Sequence, residues 1–154
     1  MRAVVQRVSS AAVHVDGRLV GSVSRGFLVL LGVMEGDSLR EAEVLAAKVA
    51  KLRVFEDDAG KMNLSPLDVG GEILVVSQFT LCADIKKGNR PSFTPSAAPE
   101  KAERLYRYFM QKLKDEGIEK VEHGEFGADM AVSLLNDGPV TICMDTDLWL
   151  GGEK

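Results

Sequence analysis

The sequence predicts an α+β fold: a single domain over residues 1–154 with a largely antiparallel, barrel-like β-sheet and two main helices. Three observations support this. The length suits one domain. Short apolar segments rich in β-branched residues are separated by turn residues. Two longer segments repeat apolar residues at helical spacing between those strands. Strands joined by short turns, with helices set among them, are typical of α+β folds.

The first third of the chain predicts a hairpin and a central strand. Residues 13–15 and 19–20 flank Asp16-Gly17, which is a turn signal of the two-residue type I′ hairpin. Residues 27–33 are continuously apolar, as in a strand that is buried on both faces.

The first helix is predicted to begin after Ser38, which forms a capping box with Glu41. Its apolar face comprises Leu39, Ala42, Leu45, Ala46, Val49 and Leu52. Two short strands, 52–55 and 61–64, are expected around a turn, and an apolar strand at 73–76 leads into Ser77.

The second helix follows a proline-rich loop, residues 86–99, and begins at Pro99, a residue common in the first helical turn. Its apolar stripe is Ala102, Leu105, Tyr106, Phe109 and Leu113, and Gly117 ends it. Strands are predicted at 121–123, 130–135 and 140–144, the last two separated by a turn at residues 136–139.

Composition excludes several classes of protein. A net charge of −4 disfavours a broad basic face for nucleic acid, although it leaves room for a pocket that takes one end of an RNA. No apolar run reaches the roughly 18 residues of a membrane span, and residues 1–7 lack the core of a signal peptide. We therefore expect a cytoplasmic protein in which Cys82 and Cys143 are reduced thiols.

Common catalytic motifs are missing from the sequence. His14 and His123 lie far apart and outside any cluster with metal-ligand spacing, and no serine lies in a nucleophile-elbow pattern. We expect neither a metal nor another cofactor.

The strand end at Ser77-Gln78-Phe79-Thr80 offers two hydroxyls and a carboxamide directly after four apolar residues. Backbone N–H groups at such an end can stabilise the oxyanion that forms when an ester carbonyl is attacked. The alternative is that the hydroxyls satisfy only local backbone groups.

Gly138-Pro139 lies between two apolar segments, where proline marks a turn or a sheet edge. A cis bond before Pro139 would direct two carbonyl groups to one side and form a rigid pair of acceptors. The alternative is an ordinary hairpin turn formed with Asn136 and Asp137.

The chain resembles the D-aminoacyl-tRNA deacylases, often called DTD, over essentially its whole length. The segments that carry the resemblance are Met1 to Val8, Ser77-Gln78-Phe79-Thr80-Leu81, Gly88 to Phe93, Gly124 to Met130, and Asn136-Asp137-Gly138-Pro139-Val140-Thr141. Each is weak alone, and their occurrence in this order is specific.

This resemblance implies a cytoplasmic homodimer that hydrolyses the ester between a D-amino acid and the terminal adenosine of tRNA, with glycine on alanine-specific tRNA also accepted. It implies that Gly138-Pro139 is cis, reaches into the partner's pocket and rejects L-amino acids by collision. The other filter residues would be Asn136, Val140 and Thr141. The partner is the aminoacyl-tRNA 3′ end, without a membrane.

By the same resemblance, the residues from Ser77 to Thr80 would face the ester. The N–H groups of Phe79 and Thr80 would bind the oxyanion, Ser77 and Gln78 would position the substrate, and water would attack with help from the ribose 2′-hydroxyl. Phe126 or Phe93 would stack on adenine, and Met130 is a further expected contact to adenosine or phosphate. Arg7 or the run Lys86-Lys87-Gly88-Asn89-Arg90 would meet phosphates; the alternative for this run is a solvated loop.

Two alternatives remain open from sequence. One is an esterase for another substrate with Thr80 as a covalent nucleophile, although no base lies beside it in the sequence. The other is a non-catalytic RNA-binding module, which the acidic balance disfavours.

Overall fold

A computed structural model describes residues 1–151. The strands are β1 (Arg2–Val15), β2 (Arg18–Val23), β3 (Gly26–Gly32), β4 (Phe55–Glu56), β5 (Met62–Leu64), β6 (Glu72–Ser77), β7 (Val121–His123) and β8 (Ala131–Asp145). The helices are α1 (Leu39–Ala50), α2 (Pro66–Val69), α3 (Pro99–Asp115) and α4 (Asp147–Leu150), and a 3-10 helix covers Phe79–Cys82. The predicted α+β class with two main helices, α1 and α3, is confirmed.

The main sheet has the order β2-β1-β3-β6-β7, and β8 pairs with the other edge of β1. The long pairings of β1 with β2, β3 and β8 are antiparallel. The pairings of β3 with β6 and of β6 with β7 are parallel, because α1 and α3 lie in the connections. The sheet is therefore mixed, with its antiparallel part dominant.

The sheet curls until its two ends meet. A Cβ built on Gly21 of β2 would lie 2.5 Å from the carbonyl oxygen of His123 in β7. Only glycine permits this approach, which brings the outer strands together and gives the barrel-like shape that the sequence predicted.

Turns and caps follow the sequence closely. Asp16 and Gly17 have φ angles of 50° and 76°, as the predicted type I′ turn requires. Ser38 and Glu41 form the predicted capping box at the start of α1. Helices α1 and α3 contribute buried faces to one core with β1, β3 and β6, centred on Phe27, Leu45, Ile73 and Phe109.

No helix within residues 1–151 has the length and apolar character needed to cross a lipid bilayer.

The predicted turn between two terminal strands is wrong. Residues 131–145 form the single strand β8, both halves of which pair with β1. Gln6 pairs with Thr141 and Val8 with Asn136, so residues 137–140 of β8 lie opposite Arg7 alone. The chain bulges out of the sheet at this point instead of reversing. Gly138-Pro139 is at the bulge, and the peptide bond between them is cis, as the resemblance implied.

Candidate functional site

A cavity of about 710 Å³ lies beside the ends of β3 and β6 and the start of α3. Its walls are mainly apolar and aromatic, with a few polar groups, which is the usual composition of a small-molecule site. Six residues predicted for the site line it: Ser77, Gln78, Phe79, Phe93, Phe126 and Met130. Residues 77–79 and residue 126 are far apart in sequence, and the fold brings them together.

One wall of the cavity is the end of β6 and the 3-10 helix that follows it. The Gln78 N–H donates to the Leu31 carbonyl at 2.8 Å, which fixes the strand end on β3. The helix begins at Phe79, and the first N–H groups of a helix have no acceptor within that helix. The N–H groups of Phe79 and Thr80 are therefore available for a ligand oxygen.

The side chains in this wall are arranged by a short contact. The Gln78 side-chain amide donates to the hydroxyl of Thr80, two residues further along the chain in the 3-10 helix. Thr80 itself is exposed and does not line the cavity. No His, Lys or carboxylate accompanies Thr80 in that contact.

Two aromatic pairs lie along the cavity. Phe79 and Phe93 meet edge to face with ring centroids 5.0 Å apart. Tyr106 and Phe126 are tilted at 5.8 Å. Phe79 is 57% exposed and Phe93 38% exposed, so the first pair presents aromatic surface to solvent. Flat aromatic rings of this kind stack well on nucleobases.

Among residues 1–151, two of those that line the cavity have ionisable side chains, Tyr106 and Asp129. Burial raises the pKa of Tyr106 well above its ordinary value, and its hydroxyl donates to the Val75 carbonyl at 3.1 Å. Tyr106 therefore stays protonated and is unsuited to act as a base. Asp129 is exposed.

Sequence reasoning missed both residues as part of the cavity. Tyr106 belongs to the apolar stripe of α3, and helical spacing cannot show that its ring lies between core and cavity. Asp129 lies in the segment Gly124 to Met130, one of those that carry the resemblance, and this position could have indicated that it belongs to the site.

A second group of predicted residues lies at the bulge of β8. Gly138 and Pro139 are exposed, and neither lines the cavity of its own chain. Asn136, Val140 and Thr141 flank them and also lie outside the cavity lining. The two predicted parts of the site are thus separate within one chain.

Arg7, which lies opposite the bulge on β1, holds the bulge backbone by a hydrogen bond. The residue is 7% exposed, and its Nε donates to the Asp137 carbonyl at 3.0 Å. Its Nη1 donates to the Val54 carbonyl, and the Asp137 carboxylate lies 3.6 Å from Nε. The guanidinium, predicted as a contact to adenosine or phosphate, is in this chain engaged with the backbone that carries Gly138.

Within residues 1–151, no group of three or more His, Cys, Asp or Glu side chains is arranged to hold a metal ion.

Comparison with known proteins identifies the relatives of this chain. The family model of D-Tyr-tRNA(Tyr) deacylase matches residues 4–145. A D-aminoacyl-tRNA deacylase of Geotalea uraniireducens is 60% identical over 146 residues, which are 95% of this chain and 94% of that protein. One of Ruegeria pomeroyi is 59% identical over 145 residues, which are 94% and 99% of the two chains.

Solved structures agree on the fold. The c-Myc DNA Unwinding Element Binding Protein superposes with a TM-score of 0.89 at 45% identity, covering 94% of this chain and 98% of that one. A probable eukaryotic D-amino acid tRNA deacylase has a TM-score of 0.81 at 16% identity over 93% and 97% of the chains, a likeness of fold alone. With the family model matched over most of its length, this chain belongs to the D-Tyr-tRNA(Tyr) deacylase family.

Proposed function

We propose that this protein hydrolyses the ester bond of D-aminoacyl-tRNA in the cytoplasm, releasing the free D-amino acid and the tRNA. The observation that carries the proposal is the family match over residues 4–145, which includes both the cavity wall at Ser77 and the bulge at Gly138. The cavity beside Ser77 supplies a site of the right kind for one end of an RNA.

In the proposed reaction, water attacks the ester carbonyl and the tRNA ribose is the leaving group. The N–H groups of Phe79 and Thr80 stabilise the oxyanion, because the first turn of the 3-10 helix leaves them without an intrahelical acceptor. Ser77 and Gln78 position the ester. Since the ionisable side chains of the lining are a protonated Tyr106 and an exposed Asp129, the ribose 2′-hydroxyl is the group we propose to assist the water.

The adenosine is proposed to lie against the aromatic part of the cavity. Phe93, Phe126 and Met130 all line it, with Phe93 from the loop before α3 and the other two from the segment between β7 and β8. Their apolar surfaces suit a nucleobase, and Phe93 already presents a partly exposed ring next to Phe79.

Chirality is proposed to be checked by backbone atoms of Gly138-Pro139, flanked by Asn136, Val140 and Thr141. These residues lie outside the cavity of their own chain, so the proposal requires a homodimer in which the bulge enters the partner's cavity. The outer surface of β8 supports this, because Leu134 and Leu135 are 37% and 61% exposed. An L side chain would collide with the bulge. Glycine has no side chain to collide, so glycine esterified to alanine-specific tRNA would also be accepted.

The test is direct. Purified protein is incubated with D-tyrosyl-tRNA and L-tyrosyl-tRNA, and released tyrosine is measured over time. We expect release from the D ester and retention of the L ester. If neither ester is cleaved above the rate without enzyme, the protein is not a deacylase.

The alternative mechanism, with Thr80 as a covalent nucleophile, predicts a different activity for the Thr80→Ala variant. For water attack, Thr80→Ala keeps the backbone N–H that binds the oxyanion, and we expect kcat within about threefold of the parent. If Thr80 were the nucleophile, Thr80→Ala would remove it, and kcat would fall by several orders of magnitude. Rapid quench distinguishes the two independently, because an acyl-enzyme that accumulates would refute water attack.

A second candidate function is nucleic-acid binding without catalysis, for which the observation is the name of one similar structure, a DNA unwinding element binding protein. The net charge of −4 opposes tight, sequence-independent binding to duplex DNA. Tight binding of duplex DNA by a protein that leaves both tyrosyl esters intact would favour this candidate.

A further inference from the structure

The exposed loop between Asp84 and Ser92 carries an unusual concentration of charge for an acidic protein. Lys86, Lys87 and Arg90 are all exposed, and the chain as a whole has a net charge of −4. Asp84 is the one acidic residue between positions 84 and 92, and its carboxylate accepts the backbone N–H of Lys86 at 2.9 Å. The segment is therefore locally positive.

These three cations are not used within the described chain. Most other basic side chains have a partner: Arg18 with Glu125, Arg107 with Glu103 and Lys120 with Glu72, for example. For Lys86, Lys87 and Arg90 no side-chain hydrogen bond or ion pair occurs with any residue of 1–151. Three neighbouring cations without partners repel one another, and such an arrangement suits an external polyanion.

The loop has a fixed base next to the cavity. Asp84 and Ser92 exchange two backbone hydrogen bonds, of 2.8 and 2.9 Å, which close the loop. The next residue, Phe93, lines the cavity and contacts Phe79. The positive loop is thus continuous with the cavity rim through a single residue.

We propose that Lys86, Lys87 and Arg90 bind phosphates of the single-stranded RNA that precedes the terminal adenosine. The inference rests on the proposed function, since it takes the esterified adenosine to lie in the cavity. Single-stranded RNA leaving the cavity past Phe93 then meets the loop first. Contacts to phosphate fix position without reading sequence, so this loop would serve tRNAs of any sequence.

The test compares the triple variant K86A/K87A/R90A with the parent on two substrates. One is D-tyrosyl-tRNA, and the other is the D-tyrosyl ester of adenosine alone, which has no phosphate. We expect KM for the tRNA to rise about tenfold at low salt, and the dependence of log(kcat/KM) on log salt to flatten by about 2, at roughly 0.7 per phosphate. We expect the adenosine ester to be cleaved at the parent rate.

A matched control removes two lysines and one arginine elsewhere. Lys61, Arg104 and Lys114 are exposed and without partners within residues 1–151, and none lines the cavity. K61A/R104A/K114A has the same net charge as the test variant, so it reveals any effect of charge alone. We expect the control variant, whose loop is intact, to keep more than half of the parent's affinity for tRNA.

Three results would overturn the proposal: unchanged KM for tRNA in the test variant, equal losses on both substrates, or equal losses in the control. If K86A/K87A/R90A fails to fold by circular dichroism, K86Q/K87Q/R90Q replaces it with the same expectations. Binding of a short single-stranded RNA with a 3′-terminal adenosine, followed by anisotropy, separates this inference from the proposed function. If the parent binds this RNA more tightly than K86A/K87A/R90A does but cleaves neither ester substrate, the proposed catalytic function is refuted. The proposed phosphate contacts of the loop would still hold.

Discussion

Gly138→Ala is expected to lower kcat/KM for D-tyrosyl-tRNA by at least about 100-fold, the cost of misplacing a site by roughly an ångström. Gly138 has a φ of 133°, which side-chain-bearing residues rarely adopt. A Cβ there would lie 2.9 Å from Val140 Cγ2, 3.0 Å from the Val140 backbone nitrogen and 3.1 Å from Arg7 Nη2. Because Arg7 is buried and bonded, the bulge itself must shift.

Gly60→Ala is the matched control. Gly60 also has a positive φ, 76°, but a Cβ there would have no atom within 4 Å. Gly60→Ala incurs left-handed backbone strain of about 1 kcal/mol, and an alanine at the φ of 133° found at Gly138 costs about 1–3 kcal/mol. Only Gly138→Ala is expected to lose turnover. Steady-state kinetics with both tyrosyl esters, alongside thermal unfolding, measures the two effects separately. Full D-specific activity in Gly138→Ala would remove the bulge from the site.

Local structure was predicted well from the sequence where a few residues close together in the chain decide the conformation. The hairpin at Asp16-Gly17 and the capping box at Ser38 depend on neighbouring residues alone, and both occur as expected. The parallel pairing of β6 with β3 was not predicted, because it depends on α1 crossing over the sheet and no short motif records that path.

The bulge of β8 shows the other limit of sequence reasoning. Proline after glycine predicted a turn, since proline interrupts a ladder. The chain does not reverse, because the parts of β8 before and after the bulge both pair with β1. Residues 137–140 of β8 bulge out opposite the single residue Arg7 of β1. The cavity posed a similar problem: its walls at Ser77 and Phe126 come from segments that only the tertiary fold brings together.

Phe79→Pro is expected to lower kcat by roughly 100- to 1000-fold, because it deletes one donor to the oxyanion and leaves the helix start intact. Phe79 is the first residue of the 3-10 helix, a position where proline is tolerated. The preceding residue, Gln78, has φ −143° and ψ 76°, outside the helical region that proline disfavours before it. The fold is therefore expected to survive.

Phe79→Ala is the matched control, since it removes the same ring from its contact with Phe93 and keeps the N–H. Any loss shared by the two variants belongs to the ring, and the additional loss in Phe79→Pro belongs to the donor. A proline variant as active as the alanine variant would exclude this N–H from the oxyanion site.

Mixing the two damaged proteins tests whether the site is built across a dimer. A Gly138→Ala chain keeps the donors of residues 79 and 80, and a Phe79→Pro chain keeps an intact bulge. If the bulge serves the partner's cavity, each mixed dimer contains one intact site, and random exchange of subunits restores about a quarter of parent activity. If the bulge serves its own chain, every site in the mixture carries one defect. Restored D-specific turnover that depends on subunit exchange therefore requires the cross-subunit arrangement, whereas its absence in dimers shown to have exchanged would contradict it.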